Sequence, residues 1–278
     1  MIDLENVELP EALLVDTIPL VRRAVADNST DNATLPYAFD TGVGTNFTKS
    51  SCPDFLKTFS QQDDFVDCLP LSFFLQTSQS FFDIAAEGAG ALATTLDLIC
   101  SVNATNCSAV MDSYQAELVL DDNCAADYGL GNPLVVEAYN AFQAYNQLFE
   151  AGCLKTNGDD YCFVNAFDNA TFSNDANIYY LPLDVALASS ANATCSTCGQ
   201  DIMAVFARYA NDTTEALSRT YLSAAQILDG DCGNDYASTA VINTSASSSS
   251  TSASSLSASP HRAWYSVGVF MSVCLILA

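Results

Sequence analysis

The chain has 278 residues, half of them hydrophobic, and its 33 acidic and eight basic residues give a formal net charge of −25. The electrostatic field of so negative a protein repels nucleic acid and anionic lipid headgroups, which excludes a nucleic-acid-binding function. The acidity alone indicates a soluble surface and is weak evidence for a cationic partner.

Residues 1–45 are predicted to form a poorly ordered N-terminal segment. The first 23 residues include five acidic ones, and Asp16 and Pro19 interrupt their apolar stretch. A secretion signal has a basic start and an unbroken apolar core, so we expect the signal peptide to be missing from a truncated or mispredicted start. The pair Arg22-Arg23 fits either a dibasic site that removes a pro-region or two ordinary surface residues.

Residues 46–236 are predicted to form one domain, a helical, cysteine-rich ectodomain. Its clearest helix covers Pro133–Cys153, where apolar residues recur at spacings of three and four from Val135 to Phe149. The leading proline suits the first turn, and Gly152 suits the end. Polar residues occupy the other side of this helix.

The same periodicity predicts further helices along the domain. They cover Pro53–Ser60, two stretches within Pro70–Cys100, Ser108–Leu120, Thr197–Ala210 and Ala216–Leu228. Gly88 and Gly90 weaken the helix prediction in the middle of Pro70–Cys100. Strand patterns are scarce: the best is Ile178–Leu183, and Pro182 limits it to an edge or extended piece. The fold class is therefore predicted to be all-α, one ectodomain stapled by disulfides and followed by a disordered Ser/Thr-rich stalk.

Aromatic residues on the helical stripes are predicted to pack in the core rather than to form a platform for sugars. They are Phe73, Phe74, Phe81, Phe82, Tyr139, Phe142, Tyr145 and Phe149.

Ten of the eleven cysteines lie within the domain, and Cys274 lies in the C-terminal tail. Their even number predicts five disulfides formed in an oxidising compartment, with a reduced cytosolic protein as the alternative. The ten are Cys52, Cys68, Cys100, Cys107, Cys124, Cys153, Cys162, Cys195, Cys198 and Cys232. Most lie at predicted helix ends, and their pairing cannot be deduced from the sequence.

Two of these cysteines, Cys195 and Cys198, have the spacing of a redox motif at a predicted helix start, where the pKa of a thiol falls. The βαβ context of a thioredoxin-like fold is absent. We therefore expect structural pairing.

Nine asparagines begin the sequon Asn-X-Ser/Thr, which marks exposed loops of a secreted chain. They are Asn28, Asn32, Asn46, Asn103, Asn106, Asn169, Asn192, Asn211 and Asn243. Cys107 stands in the middle of the Asn106 sequon, a position that usually weakens glycan addition.

The C-terminal 42 residues form two segments, a stalk over residues 237–262 and an apolar tail over residues 263–278. Small residues, a polar spacer and a terminal apolar tail are typical of a glycosylphosphatidylinositol (GPI) attachment signal. The spacer places the attached lipid at Ser249, Ser252 or a neighbour. A transmembrane anchor is an alternative, although the tail is short against the ~20 residues that span a bilayer. A second alternative is that the tail forms a buried C-terminal helix.

Residue types also exclude some chemistry. The only histidine, His261, lies in the stalk, so we exclude hydrolases with a histidine base and zinc or copper sites built on imidazole. Paired carboxylates of a glycosidase remain, with too many candidates to choose among. These are Asp63, Asp64, Asp121, Asp122, Glu137 and Glu150. The acidic loop Asp229–Asp235 lacks the glycine and the closing glutamate of a calcium loop, which predicts a turn. No catalytic, cofactor or metal site is predicted.

Short stretches across Asn46–Tyr236 carry a family resemblance. They are Asn46-Phe-Thr, Cys52-Pro-Asp-Phe55, Cys68-Leu-Pro-Leu-Ser72, Leu75-Gln-Thr-Ser78, Phe81-Phe82, Cys124-Ala-Ala-Asp-Tyr128, Asn132-Pro-Leu-Val135, Ala138-Tyr-Asn140, Ala151-Gly-Cys-Leu154, Tyr161-Cys162, Tyr180-Leu-Pro-Leu183, Cys195-X-X-Cys198 and Cys232-Gly233. They resemble a fungal family of uncharacterised, secreted, cysteine-rich, GPI-anchored proteins, known only as a domain of unknown function. The resemblance implies a fungal source and surface attachment, and it brings no catalytic residues.

Three functions are compatible with these features. We expect a non-enzymatic, GPI-anchored glycoprotein of the cell surface or wall, acting in wall organisation, adhesion or surface contact. Its partners would be the outer leaflet of the membrane, through the lipid, and wall polysaccharide or surface proteins. The alternatives are a carrier of a small apolar ligand in a helical pocket and a carboxylate-based carbohydrate-active enzyme. No cofactor is expected.

Overall fold

The computed structural model describes residues 35–167, 174–190 and 193–240. These residues form an all-α fold of twelve α-helices and one 3₁₀ helix, as the sequence predicts, and contain no β-strand. The α-helices are α1 (Ser51–Phe59), α2 (Asp63–Val66), α3 (Leu71–Thr77), α4 (Gln79–Ala86), α5 (Ala89–Ser101), α6 (Ala104–Leu118), α7 (Ala125–Gly129), α8 (Pro133–Gln143), α9 (Tyr145–Gly152), α10 (Cys162–Phe167), α11 (Thr197–Tyr209) and α12 (Leu217–Cys232). The 3₁₀ helix covers Asn174–Leu183, between α10 and α11.

Several predicted features lie outside the described residues. They include most of the N-terminal segment, nearly all of the stalk and the whole apolar tail. The predicted site residues among them are Asn28, Asn32, Asn169, Asn192, Asn243, Ser249, Ser252, His261 and Cys274.

The folded domain begins before Asn46, the start expected from the sequence. Ala38, Phe39 and Val43 are buried. The backbone N–H of Phe39 donates to the carbonyl of Thr77 at 3.0 Å, and its ring lies edge-on to those of two core phenylalanines. Residues 36–45 are therefore part of the folded domain, and their buried side chains pack into its core.

An aromatic cluster fills the centre of the N-terminal helices. The ring centroid of Phe59 lies 5.0 Å from that of Phe65 and 5.1 Å from that of Phe142. Phe73 lies 4.7 Å from Phe142 in an edge-to-face arrangement, a geometry that adds to the stabilisation from burial. Five of the eight predicted core aromatics are buried, and Phe82, Tyr139 and Phe149 are half-buried. Those five are Phe73, Phe74, Phe81, Phe142 and Tyr145.

The long helix predicted over Pro133–Cys153 consists of α8 and α9, which meet at Ala144. The N–H of Ala144 donates to Asn140 and its carbonyl accepts from Leu148, both at 2.9 Å. Because the hydrogen bonding continues through the junction, the pair forms one bent helix. Helices α3, α5, α6 and α11 and the 3₁₀ helix surround it. This explains why Asn140 and Gln147, on its predicted polar side, are buried.

The region Pro70–Cys100 holds three helices where the sequence predicts two. The extra break falls at Ser78, whose backbone is extended (φ −118°, ψ 107°). The hydroxyl of Ser78 accepts from the N–H of Phe81 at 3.1 Å and so caps α4. Because its side chain accepts a hydrogen bond from a free N–H at the N-terminus of α4, Ser78 favours the start of a new helix over continuation of α3.

The strand suggested for Ile178–Leu183 is wrong, because this segment is the second half of the 3₁₀ helix. Ile178, Tyr179, Leu181 and Leu183 are buried, so the segment lacks a solvent face. No neighbouring strand is available within the described fold to satisfy its backbone, and a 3₁₀ turn forms its own hydrogen bonds. The hydroxyl of Thr220 donates to the carbonyl of Leu181 at 2.7 Å.

All ten cysteines of the domain are paired, which confirms the prediction of five disulfides. The bridges are Cys52–Cys124, Cys68–Cys107, Cys100–Cys153, Cys162–Cys198 and Cys195–Cys232. The first three join segments before residue 154, and the last two connect the region at the start of α11 to α10 and to α12. The Cα–Cα distances run from 4.5 to 5.7 Å, the range that disulfides normally occupy.

Candidate functional site

The two cysteines with redox-motif spacing do not pair with each other. Cys195 is bonded to Cys232, and Cys198 is bonded to Cys162. The motif lies at the start of α11, where Ser196 caps the helix by accepting from the N–H of Gly199 at 3.1 Å. Each half of the motif thus fastens the start of α11 to another helix, which is the structural pairing expected from the sequence.

Many carboxylates hold loops against helices. Asp127 is 2% exposed, and its two oxygens accept from the N–H and the hydroxyl of Thr48, each at 2.8 Å. Asp40 likewise accepts from the N–H of Gln79 at 2.8 Å and of Ser80 at 2.6 Å. Such charge-assisted hydrogen bonds compensate for the loss of hydration. These acidic residues therefore have a structural role.

The six carboxylates considered for a glycosidase lie on different elements. Asp63 and Asp64 belong to α2, and Asp121 and Asp122 are exposed in the turn after α6. Neither of the two best pockets in the described structure is lined by two of the six. The structure therefore does not bring a pair of them to one of these pockets.

The other two candidates lie on the bent helix. Glu137 is half-buried on α8, and burial raises its pKa above the ordinary value. Glu150, at the end of α9, accepts from the hydroxyl of Tyr209 at 2.6 Å and pairs with the guanidinium of Arg208. Glu150 is therefore occupied in holding α11 against α9.

A buried polar contact that the sequence did not indicate joins α9 to the loop before α12. Gln147 is 1% exposed, and its side-chain N–H donates to a carboxylate oxygen of Glu215 at 3.0 Å. Burial raises the pKa of Glu215, the hydrogen bond from Gln147 opposes that shift, and the charges of Asp212 and Asp112 add to it. Helix periodicity placed Gln147 on a polar face, and only the surrounding helices show that this face is covered.

The larger of the two best pockets is an open groove between α6 and α2, with a volume of about 280 Å³. We name it the α6 groove and define it by its lining residues. These are Asp64, Asn106, Ala109, Val110, Ser113, Tyr114 and Glu117. Six of the seven lie on α6 at spacings of three and four, so one face of this helix forms most of the groove. The other pocket holds only about 10 Å³.

Tyr114 connects the α6 groove to the aromatic cluster. Its ring lies 5.5 Å from that of Phe59 and is stacked 6.3 Å from that of Phe142. Its hydroxyl donates to a carboxylate oxygen of Asp64 at 2.8 Å. Burial, followed by this hydrogen bond, raises the pKa of Tyr114, so the phenol stays protonated across the physiological range. A fixed aromatic ring with a polar edge therefore forms the floor of the groove.

Four predicted glycosylation sites fall within the described residues, and all four are exposed. They are Asn46, Asn103, Asn106 and Asn211. Asn103 and Asn106 lie together at the start of α6, where the side-chain oxygen of Asn103 accepts from the N–H of Asn106 at 3.0 Å and caps the helix.

The acidic loop Asp229–Asp235 is partly helical. Its first four residues complete α12, and a carboxylate oxygen of Asp229 accepts from the N–H of Ala237 at 2.8 Å. Across residues 35–167, 174–190 and 193–240, no group of three or more His, Cys, Asp or Glu could hold a metal ion. None of the helices in these ranges is long and apolar enough to cross a membrane.

A known family matches the chain over most of its length. The family model described as "Domain of unknown function (DUF7729)" matches residues 34–241. These limits agree with a folded domain that begins before Asn46 and ends just after Ala237. No curated protein and no solved structure matches the chain. The chain therefore belongs to the DUF7729 family, whose function is unknown.

Proposed function

We propose that the protein is a non-enzymatic glycoprotein, held on the outer face of a fungal cell or in its wall by a GPI anchor. The domain would stand away from the membrane on the Ser/Thr-rich stalk. There it would act in wall organisation, adhesion or surface contact, with wall polysaccharide or other surface proteins as partners.

The observation that carries this proposal is the pairing of all ten domain cysteines, together with exposed sequons. Five disulfides form and persist in an oxidising compartment and are rare in the cytosol. Asn46, Asn103, Asn106 and Asn211 are all on the surface, where a glycan can extend into solvent. Both features fit a chain that passes through the secretory route.

A catalytic role finds less support in the site. Carboxylates such as Asp127, Asp40 and Glu150 accept hydrogen bonds that hold loops and helices together. A glycosidase requires two carboxyl groups facing each other across a cleft. Glu137 has a raised pKa, which a general acid would need, but it lines neither of the two best pockets.

A carrier role also finds less support. Pockets that enclose small ligands typically measure about 300–1,000 Å³ and surround most of the ligand. The α6 groove measures about 280 Å³ and is open to solvent. Large side chains such as Phe59, Phe142 and Tyr179 fill the interior instead.

Release by phosphatidylinositol-specific phospholipase C tests the anchor. The full-length gene would be expressed in a fungal host, and release from intact cells would be measured. We expect soluble, glycosylated protein after treatment. A chain that ends at Ala240, which keeps the contacts of Ala237 and Ser238, is the matched control and should enter the medium without the enzyme. Protein that stays inside the cell, or resists the lipase, would contradict the proposal.

A further inference from the structure

The lining of the α6 groove includes an N-glycosylation sequon. Asn106 lines the groove and begins the sequon Asn106-Cys107-Ser108. A glycan on its side-chain nitrogen would therefore start inside the groove. Asn46, Asn103 and Asn211 are also exposed sequon residues, but they do not line the α6 groove.

The backbone that carries Asn106 is held firmly. Its N–H donates to the side chain of Asn103, which caps α6. The next residue, Cys107, is 4% exposed and bonded to Cys68. Ser108 accepts from the side chain of Asn146 at 2.8 Å. The attachment point of a sugar is therefore held in place beside the groove, because neighbours on both sides restrain the first turn of α6.

The lining of the groove suits a sugar ring. The carboxylates of Asp64 and Glu117 accept hydrogen bonds, and the hydroxyl of Ser113 both donates and accepts. The ring of Tyr114, which packs against Phe59 and Phe142, also lines the groove, where its exposed part can contact the C–H bonds of a pyranose. No basic residue lines the groove, so an anionic ligand would meet no compensating charge.

The size and openness of the groove favour a tethered occupant over a free one. At about 280 Å³ it falls just below the usual range for small-molecule sites, and a free ligand would lose translational and rotational freedom on binding. A sugar already bonded to Asn106 does not incur that cost, because the tether gives it a high effective concentration. Weak contacts are then sufficient to hold the sugar in the groove.

We propose that the α6 groove is the seat of the protein's own N-glycan, attached at Asn106. The first sugars lie along α6 over Tyr114, between Asp64 and Glu117. They cover the groove, so it is not a site for a free ligand. This inference rests on the secretory route of the proposed function.

The rate at which an enzyme releases the glycan from the folded protein tests whether the glycan occupies the α6 groove. The full chain is secreted from a glycosylating host, and site occupancy is measured by glycopeptide mass spectrometry. The folded protein is then treated with peptide N-glycosidase F, and release from Asn106 is timed against release from Asn211 in the same molecules. We expect about tenfold slower release at Asn106, as a tenfold preference for the seated state would give. The two rates should become equal after reduction and denaturation.

Two substitutions on α6 sharpen the test. Glu117→Gln removes a carboxylate of the groove and should speed release at Asn106 without changing its occupancy. Asp112→Asn removes an exposed carboxylate of the same helix outside the groove, and should leave the rate unchanged.

The outcomes separate this inference from the proposed function. Protein with no occupied sequon would overturn both the secretory route and the seat. Occupied Asn46 and Asn211 beside a bare Asn106, or equal native release rates, would overturn only the seat. Binding of free oligosaccharide by Asn106→Gln protein, lost again in Glu117→Gln, would assign the groove to an external ligand instead.

Discussion

The helices before residue 154 and those after it are stabilised in different ways. The first part has three disulfides, and two of them, Cys52–Cys124 and Cys68–Cys107, join buried cysteines. The second part has two disulfides, and in one of them Cys195 is exposed. Among the described cysteines no bridge joins the two parts. Each part is therefore cross-linked internally, and among the described residues the two parts are joined by the backbone at residue 154, by packing and by polar contacts.

The joint between the two parts centres on α9. It packs against α11 and the 3₁₀ helix, and α5 packs against α10. Polar contacts cross the same boundary, from Tyr209 to Glu150 and from Gln147 to Glu215. The disulfides therefore limit unfolding within each part, whereas the attachment of one part to the other depends on this non-covalent surface.

The largest effect is expected from the aromatic cores. Phe59→Ala in the first part and Phe163→Ala in the second should each lower the free energy of unfolding by about 3–5 kcal/mol, since both side chains are fully buried. Urea unfolding followed by circular dichroism measures the change. We expect one cooperative transition in both variants because the joint is extensively packed. A separate early transition in Phe163→Ala alone would show that the second part unfolds independently.

Stepwise reduction distinguishes the disulfides of the two parts. Cys195–Cys232 should be reduced first, since Cys195 is exposed, and Cys52–Cys124 last, since both cysteines are fully buried. Alkylation and mass spectrometry after graded thiol treatment give the order. Replacing Cys195 and Cys232 by serine should cost about 2–4 kcal/mol of unfolding free energy. Early reduction of Cys52–Cys124 would contradict the comparison.

A smaller effect should appear as a pH dependence at the joint. Burial raises the pKa of Glu215, so the folded state binds its proton more tightly than the unfolded state does. The stabilising contribution of the protonated form is complete below the ordinary glutamate pKa, and it is lost as pH rises through the raised value. Glu215→Gln should therefore be more stable than the wild type at neutral pH, with the difference vanishing in acid.

Urea unfolding of both proteins across a pH series measures this difference. Glu117→Gln, which removes one negative charge at an exposed position of α6, serves as the control for the change in net charge. A neutral-pH loss of stability in Glu215→Gln would mean that the charged carboxylate, not its proton, holds the joint.

The smallest effect is expected at the ion pair of the joint. The side chains of Arg208 and Glu150 are 61% and 41% exposed. Solvent screens such a pair, so Arg208→Ala should change the unfolding free energy by only about 0.2–1 kcal/mol. Glu150→Ala should cost more, because it also leaves the hydroxyl of Tyr209 without its acceptor. Equal effects of the two substitutions, measured by urea unfolding, would count against this ranking.

The sequence predicted elements whose signal is local. The apolar period located α1 and α11 to within two residues, and it located the bent helix from α8 to α9. Helices α2, α7 and α10 have four, five and six residues, too few for a period to show. The 3₁₀ helix was mistaken for a strand because consecutive buried residues give no helical stripe.

Features that depend on distant residues were beyond the sequence. The pairing of Cys52 with Cys124 spans 72 residues, and nothing in the spacing indicates it. The α6 groove depends on Tyr114 meeting Asp64, which lies 50 positions earlier. The burial of Gln147 depends on the helices that surround α9. These contacts follow from tertiary packing, which overrides the local polar pattern.

The order of the disulfides along the chain determines how the domain responds to mechanical load. A pull on the C-terminus first meets Tyr236–Ser238, where the hydroxyl of Tyr221 donates to the carbonyl of Ser238 at 2.8 Å. Beyond this contact, the Cys195–Cys232 disulfide transmits the tension from Cys232 to Cys195. The backbone carries it three residues on to Cys198, and the second disulfide transmits it from Cys198 to Cys162.

Helices α11 and α12 therefore lie inside covalent loops that tension bypasses. These loops span 36 and 37 residues and cannot be drawn out while the bridges are intact. In force spectroscopy the domain would lengthen by far less than its residue count allows. It would behave as a short, stiff link rather than an extensible spring.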